Sequence, residues 1–514
     1  MTSTSADQTT SISTILTAFA RHHDRVAITH AEGEWTFNDL LDRIYRMARA
    51  LRTQGLGRGD VVALLTGNRP DTMVLRYAAN ALGCTTTILF DDLASSLLAQ
   101  MLRTTDATAL VFSPDRAAQA DAAVSEVSGT TLLALGEHSG ATDLTALAEA
   151  ESADPVQIAA RPDQLASIRL TGGSTGVPKG VPRYFRAPGY LSAEALAGWR
   201  DATQLLCTPV GHLGGTMAEM VLAGGGRVVL HQRFDAGEAL AAIERERVTH
   251  LWLQPNRLLQ LLDHPAIDTT DTSSLRWFTY GGWSSTPSRI ARALKRFGPI
   301  LVQGYGTLEV GQITWLTAEE HLRPELLATV GRVVPGVQVS IRDADGQHLE
   351  VGGTGEIWVR GPYVMSGYYK QPEKTAEVLT HGWFHTGDLG YLDEDGYLRI
   401  VGRSRDVIVA ADGHVYPAAI EDVLLTHSAI QSAVVFGFTA SGRDERVCAA
   451  VVPTTAGRLS EQDVVQWVTE ERGAAYAPEI VLILDELPTT GSHKPDRAAL
   501  RRIVAEQGPL QSRG

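Results

Sequence analysis

Apolar residues recur at helical spacing over 11–22 and 36–54, and the second stretch places Asn38 or Asp39 near its start as the expected cap. A turn over 55–60 leads into Val61-Val-Ala-Leu-Leu65, a short apolar run closed by Thr-Gly-Asn-Arg-Pro. Helical periodicity returns over 71–82, followed by a strand-like run near 87–90. Alternation of strand and helix predicts right-handed crossover units in a largely parallel sheet. The pattern continues through apolar runs at 109–112, 131–135, 228–230 and 251–253. Beyond about residue 330 the texture changes to short alternating runs at 337–341, 355–359 and 397–401, separated by Gly and Asp. These predict antiparallel strands with tight turns, Asp393-Glu-Asp-Gly396 among them. After Gly402 the pattern is that of a small α+β segment, with a helix over 418–425 and strands near 433–438 and 447–453.

The expected fold class is therefore α/β: a large N-terminal domain of stacked mixed sheets and helices with a β-rich subdomain, then a small α+β C-terminal domain. Its expected boundaries are 1–402 for the large domain, with the β-rich part at about 330–402, a hinge at 403–406 and the small domain at 407–514. Length agrees, since 514 residues exceed the ~250–300 at which single cores stop growing. A hydrophobic content of 44% is ample for packed interiors. No fixed-period repeat or low-complexity tract interrupts the chain.

Charge narrows the functional classes. A net charge of -14 disfavours a nucleic-acid surface, so an anionic ligand must be met by a local site. The three cysteines, Cys84, Cys207 and Cys448, are far apart and form no metal-ligand spacing, which suits a reducing compartment. No secretion signal is legible at the N-terminus and no apolar run reaches the ~18 residues of a membrane span. A cytoplasmic protein with no membrane or nucleic-acid partner is the expectation, as monomer or homodimer.

The densest chemistry lies in Leu170-Thr-Gly-Gly-Ser-Thr-Gly-Val-Pro-Lys-Gly-Val181. Glycines let a backbone approach an anion, hydroxyls and N–H groups donate to it, and Lys179 adds charge, so the run suits a polyphosphate. It is not the P-loop pattern, because no GxxxxGK[ST] can be read through it.

Thr171 to Gly180 resembles the [ST]SG[ST]TGxPKG loop of the adenylate-forming superfamily, which holds acyl- and aryl-CoA synthetases, peptide-synthetase adenylation domains and firefly luciferase; Gly172 replaces the first serine. The resemblance implies that Thr171, Gly172, Gly173, Ser174, Thr175, Gly176 and Lys179 bind the phosphates of ATP. Tyr305-Gly-Thr-Leu-Glu309 is similar to the family's YGxTE stretch. It implies adenine stacking by Tyr305, nucleotide contacts at Gly306 and Thr307, and a magnesium ligand in Glu309, with Leu308 in place of the usual threonine. Gly281 and Gly282 stand where the family's glycines contact adenine. Asp388 and Arg403 match the family's TGD and GR elements, which implies that Asp388 holds the ribose hydroxyls and Arg403 the same sugar or the phosphate.

Leu487-Pro-Thr-Thr-Gly-Ser-His-Lys-Pro-Asp-Arg497 resembles LPxTxSGKxDR, which makes Lys494 the implied catalytic residue and puts His493 in the usual glycine position. By the same resemblance His212, Trp252, Gln254, Gly304 and Gly306 border the acid pocket, and Arg405 is the hinge about which the small, mobile domain turns. The implied chemistry is ATP- and Mg²⁺-dependent conversion of a small aryl or short to medium acyl acid to an acyl-adenylate. Transfer to the thiol of CoA or of a carrier-protein pantetheine follows, with an acyl carrier protein as a conceivable partner. Ala411 departs from the glycine expected in the loop that approaches the thiol. An amine acceptor, luciferase-like oxidation and a non-catalytic nucleotide binder are the competing readings.

Overall fold

The computed structural model describes residues 9–90, 93–171, 179–186, 188–283, 285–410, 413–439, 445–454, 459–489 and 495–506. The chain forms two compact units, one of Met1–Leu253, Arg257–Thr279 and Met365–Thr375, the other of Gln254–Asn256, Tyr280–Val364 and Ala376–Gly514.

The first unit is α/β. A seven-stranded sheet runs, in spatial order, Thr142–Asp143, Thr131–Ala134, Ala109–Phe112, Val61–Leu65, Thr85–Ile88, Leu165–Thr171 and Lys179–Tyr184. Every pair in it is parallel except the last. Val61–Leu65 shows why its strands read as unbroken apolar runs: Val62 and Leu64 join one buried cluster while Ala63 and Leu65 join another. A central parallel strand is covered on both faces, so no alternation with polar residues appears. A second set of strands in this unit, His250–Leu253, Thr203–Leu206, Arg227–Leu230, Val26–His30 and Gly33–Thr36, is parallel up to its antiparallel edge hairpin.

Helices Phe37–Thr53, Pro70–Ala81 and Leu213–Ala223 supply buried faces to the larger cluster. Within it, the rings of Phe37 and Tyr77 each lie 5.5 Å from that of Phe19. The predicted cap of the first of these helices needs correcting. Thr36, not Asn38 or Asp39, is the N-cap: its hydroxyl accepts from the Asp39 N–H, and the Asp39 carboxylate accepts from the Thr36 N–H at 2.8 Å. This is a capping box with Asp in the position that usually holds Glu or Gln.

The second unit is richer in antiparallel strands, as the alternating texture beyond residue 330 predicts. Leu301–Thr307, Gly311–Leu316 and Arg332–Val333 pair in that order. A five-stranded sheet holds Gln338–Arg342, Gly355–Arg360, Leu379–Thr380, Trp383–Leu392 and Leu398–Arg403. Toward the C-terminus, Ile430–Phe438, Arg446–Pro453 and Ile480–Ile483 form a three-stranded sheet. Helices Pro417–Leu424 and Glu461–Arg472 contribute to its cluster on one side, and Arg497–Glu506 to that on the other. Among the described residues no helix is long and apolar enough to cross a membrane.

Replacing the Thr36 cap tests the local reading of the fold. Thr36→Ala should cost about 1 kcal/mol in chemical denaturation and Thr36→Ser close to nothing, because only the hydroxyl is used.

Candidate active site

The strand order of the second unit gathers three of the predicted nucleotide residues. Asp388 and Arg403 are cross-strand partners in the Trp383–Leu392/Leu398–Arg403 pair. Arg403 Nε lies 2.9 Å from Asp388 Oδ1, and the Tyr305 hydroxyl donates to Asp388 Oδ2 at 2.8 Å. Asp388 is 4% exposed. Its own N–H donates to the Thr386 hydroxyl, which in turn donates to the Ile357 carbonyl, so backbone bonds hold this bend of the strand. Gly387, just before it, sits at φ +70 and donates its N–H to Glu356, a conformation that an L side chain rarely adopts.

Burial pulls the Arg403 pKa down, but surrounding acidic groups, Asp388 foremost and Asp406, Tyr305 and Glu309 after it, carry it above the ordinary arginine value. Burial pushes the Tyr305 hydroxyl well above its usual range, and the Asp388 charge adds to that. The phenol therefore stays a donor at any physiological pH. Glu309 enters the same electrostatic neighbourhood as Arg403.

Two glycines here are fixed by close backbone approach. A Cβ on Gly306 would stand 2.2 Å from the Gly311 carbonyl oxygen, and one on Gly281 would stand 2.3 Å from that of Gly304. Gly282, at φ +79, follows in the turn after the strand. Tyr280, buried beside them, anchors the turn by hydrogen bonds to Gln303 at 3.2 Å and to His321 at 2.9 Å. The Thr307 hydroxyl is buried and has no hydrogen-bond partner among the described residues. A buried hydroxyl left without a partner costs about 1–3 kcal/mol, which a ligand oxygen would relieve.

These features fit a nucleotide. Asp388 is an ionised acceptor with lone pairs remaining after its two bonds, suited to sugar hydroxyls. Tyr305 is partly exposed and keeps ring surface available. For Mg²⁺ the donor set is modest: no cluster of three or more His, Cys, Asp or Glu occurs among the described residues. An ion held largely by phosphate oxygens and water would need only one carboxylate, and Glu309 is the residue that could supply it.

In the first unit, Thr171 and Lys179 face each other at the end of the Leu165–Thr171/Lys179–Tyr184 hairpin, so the two ends of the glycine-rich run are β-paired. Lys179 Nζ lies 5.0 Å from the centre of the Tyr368 ring. Gly172, Gly173, Ser174, Thr175 and Gly176 lie outside the described residues, as do Ala411, His493 and Lys494. His212 is the N-cap residue of Leu213–Ala223, its ring 5.5 Å from that of Phe90. Trp252 is buried and packs at the start of this helix, where a Cβ on Gly214 would stand 3.7 Å from its ring. Its indole N–H has no partner among the described residues. Gln254 and Gly304 belong to the second unit.

Sequence reasoning overlooked Arg497. Its guanidinium reaches Glu421 Oε1 at 2.7 Å and Asp406 Oδ2 at 3.4 Å, and its Nε donates to the Val435 carbonyl at 3.1 Å. Three residues beyond Lys494, it ties the end of that motif to Asp406, the neighbour of the predicted hinge residue Arg405. The closing Arg of the motif was the available signal. Arg405 Nε lies 3.9 Å from Asp406, and burial with Arg403 nearby lowers its pKa.

Comparison with known proteins gives the family. Residues 16–369 match the model of the AMP-binding enzyme family and residues 419–494 that of the AMP-binding enzyme C-terminal domain. The chain belongs to the AMP-binding enzyme family and is an acyl-CoA-synthetase-like, AMP-forming enzyme. It is 33% identical to a medium/long-chain-fatty-acid–CoA ligase of Mycobacterium tuberculosis, over 94% of this chain and 88% of that one. It is also 33% identical to an indoleacetate–CoA ligase of Aromatoleum aromaticum, over 94% and 96%. Among solved structures, the amide bond synthetase McbA of Marinactinospora thermotolerans is 36% identical with a TM-score of 0.85, covering 96% of this chain and 99% of that one.

The Asp388 node makes a graded prediction in chemical denaturation. Tyr305→Phe should cost about 1 kcal/mol, the usual net value of one hydrogen bond. Asp388→Ala should cost roughly 2–3 kcal/mol, because it strands the Arg403 charge, moderated by the exposure that Arg403 retains.

Proposed function

We propose that this enzyme activates a small aryl or short to medium acyl acid as its adenylate and passes the acyl group to the thiol of CoA or of a carrier-protein pantetheine. One carboxylate oxygen of the acid attacks the α-phosphorus of ATP, a new P–O bond forms, the bond to the β-phosphate oxygen breaks, and pyrophosphate leaves. A free carboxylate resists acyl transfer because oxide is a poor leaving group; AMP is a good one. The thiol then adds to the activated carbonyl and loses its proton to solvent as AMP departs.

The observation that supports this reading most is the Tyr305–Asp388–Arg403 cluster beside the unpartnered Thr307 hydroxyl, an acceptor and a donor suited to a nucleotide's sugar and phosphate. In this reading the 171–179 run grips the β- and γ-phosphates, and Glu309 holds the magnesium that offsets their charge. Lys494 stabilises charge between the acid and the α-phosphate, so catalysis is mostly orientation and electrostatics. The segment from about residue 407 onward acts as the mobile small domain, turning about Arg405. The reading places the enzyme in the cytoplasm.

A second reading, transfer to an amine, draws support from the 36% identity to an amide bond synthetase and from Ala411, where glycine would let a pantetheine arm approach most closely.

Acid-dependent exchange of pyrophosphate into ATP tests the first half-reaction, and Lys494→Ala should lower it by about 10²–10³-fold while leaving ATP affinity largely intact. Exchange at the parent rate in that variant would remove Lys494 from the chemistry. For a positive acid, adding CoA or a panel of amines and identifying the product by mass decides between thioester and amide.

A further inference from the structure

Gly281 and Gly282 carry no side chain that could fix their place. Gly304, whose carbonyl oxygen would stand 2.3 Å from a Cβ on Gly281, carries none either. Whatever holds this turn must therefore come from the residues just before them, Tyr280 and Gln303, which stand on neighbouring strands and are both buried.

Hydrogen bonds run through these two side chains to His321, on the short turn Glu320–Leu322. His321 is 1% exposed. Its Nδ1 lies 2.6 Å from the Thr317 carbonyl, which can only accept, so Nδ1 carries a proton. Burial lowers the pKa of the ring, against the opposing pull of that carbonyl and of the Glu320 charge. The ring is therefore neutral at physiological pH, and Nε2, 2.9 Å from the Tyr280 hydroxyl, is an acceptor. The phenol has one proton and two acceptors within reach, Nε2 and Gln303 Oε1 at 3.2 Å. Donation to the nearer one, Nε2, leaves the phenol oxygen facing Gln303, and a turn of that amide brings its NH2 group to the phenol. The chain then runs in one direction, from Gln303 to Tyr280, from Tyr280 to His321 and from His321 to the Thr317 backbone. Thr317 is itself held, since its N–H and hydroxyl both donate to Glu320 Oε2, at 2.8 and 2.9 Å, while Glu320 Oε1 accepts from the Tyr397 hydroxyl at 2.9 Å. A directional chain supplies what apolar packing lacks, because it fixes the angle of each group as well as its distance.

Resting on the reading that Gly281, Gly282 and Tyr305 meet the adenine of ATP, we infer that His321 is a positioning residue for the nucleotide. As acceptor for the Tyr280 hydroxyl it fixes the turn at Gly281 and Gly282 and, through Gln303, the strand that carries Tyr305. His321 touches neither ATP nor the acid in this scheme.

In acid-dependent pyrophosphate exchange, His321→Leu should raise KM for ATP by about fivefold, the equivalent of one net hydrogen bond, and leave KM for the acid unchanged. Tyr280→Phe should do the same. Because the two residues act through one bond, the double variant should be no worse than either single one, whereas independent effects would multiply to about 25-fold. His321→Gln places an amide oxygen within reach of the phenol and should recover most of the affinity. Should the leucine variant not fold, His321→Asn takes its place with the same expectations, since its shorter amide can meet the Thr317 carbonyl but not the phenol. Four results would overturn the inference: a leucine variant with the parent's KM for ATP, one that raises both KM values alike, single effects that multiply, or a glutamine variant no better than leucine.

Calorimetric binding of ATP without any acid separates this role from the activation reading. Binding that weakens in His321→Leu, in a chain that supports no exchange with any acid, contradicts the activation reading alone. Equal binding in parent and variant sinks the positioning role whatever the exchange shows, and a parent that binds no ATP overturns both.

Discussion

The Asp388 carboxylate is the interaction on which the arrangement of the second unit's predicted nucleotide residues depends. Three strands converge on it. One carries Asp388 itself, a neighbour supplies Arg403 from the position directly across the ladder, and Tyr305 arrives from a different sheet. Register sets this meeting, because a slip of one residue would turn Asp388 to the other face and leave Arg403 and the phenol without their acceptor. The bend at Gly387 and the bonds of Thr386 and Glu356 pin that register locally. A carboxylate with two engaged oxygens and spare lone pairs is both a structural tie and an acceptor held ready for a ligand.

Buried charge appears elsewhere in two contrasting forms. Around Arg497 one cation meets two carboxylates, Glu421 and Asp406, and a backbone carbonyl besides. Its positive charge is more than matched, and burial pushes the Glu421 pKa up against the pull of Arg497. Such a set is complete in itself and reads as mechanical: it holds the stretch following Lys494 to Asp406 at the predicted hinge. Around Glu219 the count is reversed: Arg76 pairs with the one carboxylate, the Tyr190 hydroxyl donates to it, and Arg169 stands close by with a hydrogen bond to Thr216.

The sequence made legible whatever is local in the chain. Strands such as Ala109–Phe112 and Val61–Leu65 stand out because both faces are covered, leaving no polar interruption. The glycine-rich run suits phosphate by its residue types, and Tyr305 to Glu309 and the Asp388 and Arg403 elements stand out as contiguous strings by their resemblance to motifs of the adenylate-forming superfamily. The cap at Thr36 was misplaced because Asn38 and Asp39 have the same propensity, and only the geometry shows Asp39 serving as the partner of Thr36. The hairpin that brings Thr171 opposite Lys179 was hidden for a different reason: glycine and proline signal a loop but not the pairing of the strands that frame it.

The surroundings of Arg169 could not be read in that way. Arg169 sits in Ser167-Ile-Arg-Leu-Thr171, where an arginine between apolar residues reads as the outward position of an alternating strand. In the fold that outward side meets the buried helix Leu213–Ala223, and the residues around it, Arg76, Tyr190, Thr216 and Glu219, come from three separate segments. Nucleotide chemistry is common to many acids and can be written into short strings. Which charges meet in the interior depends on how distant segments pack, and no string of neighbouring residues shows it.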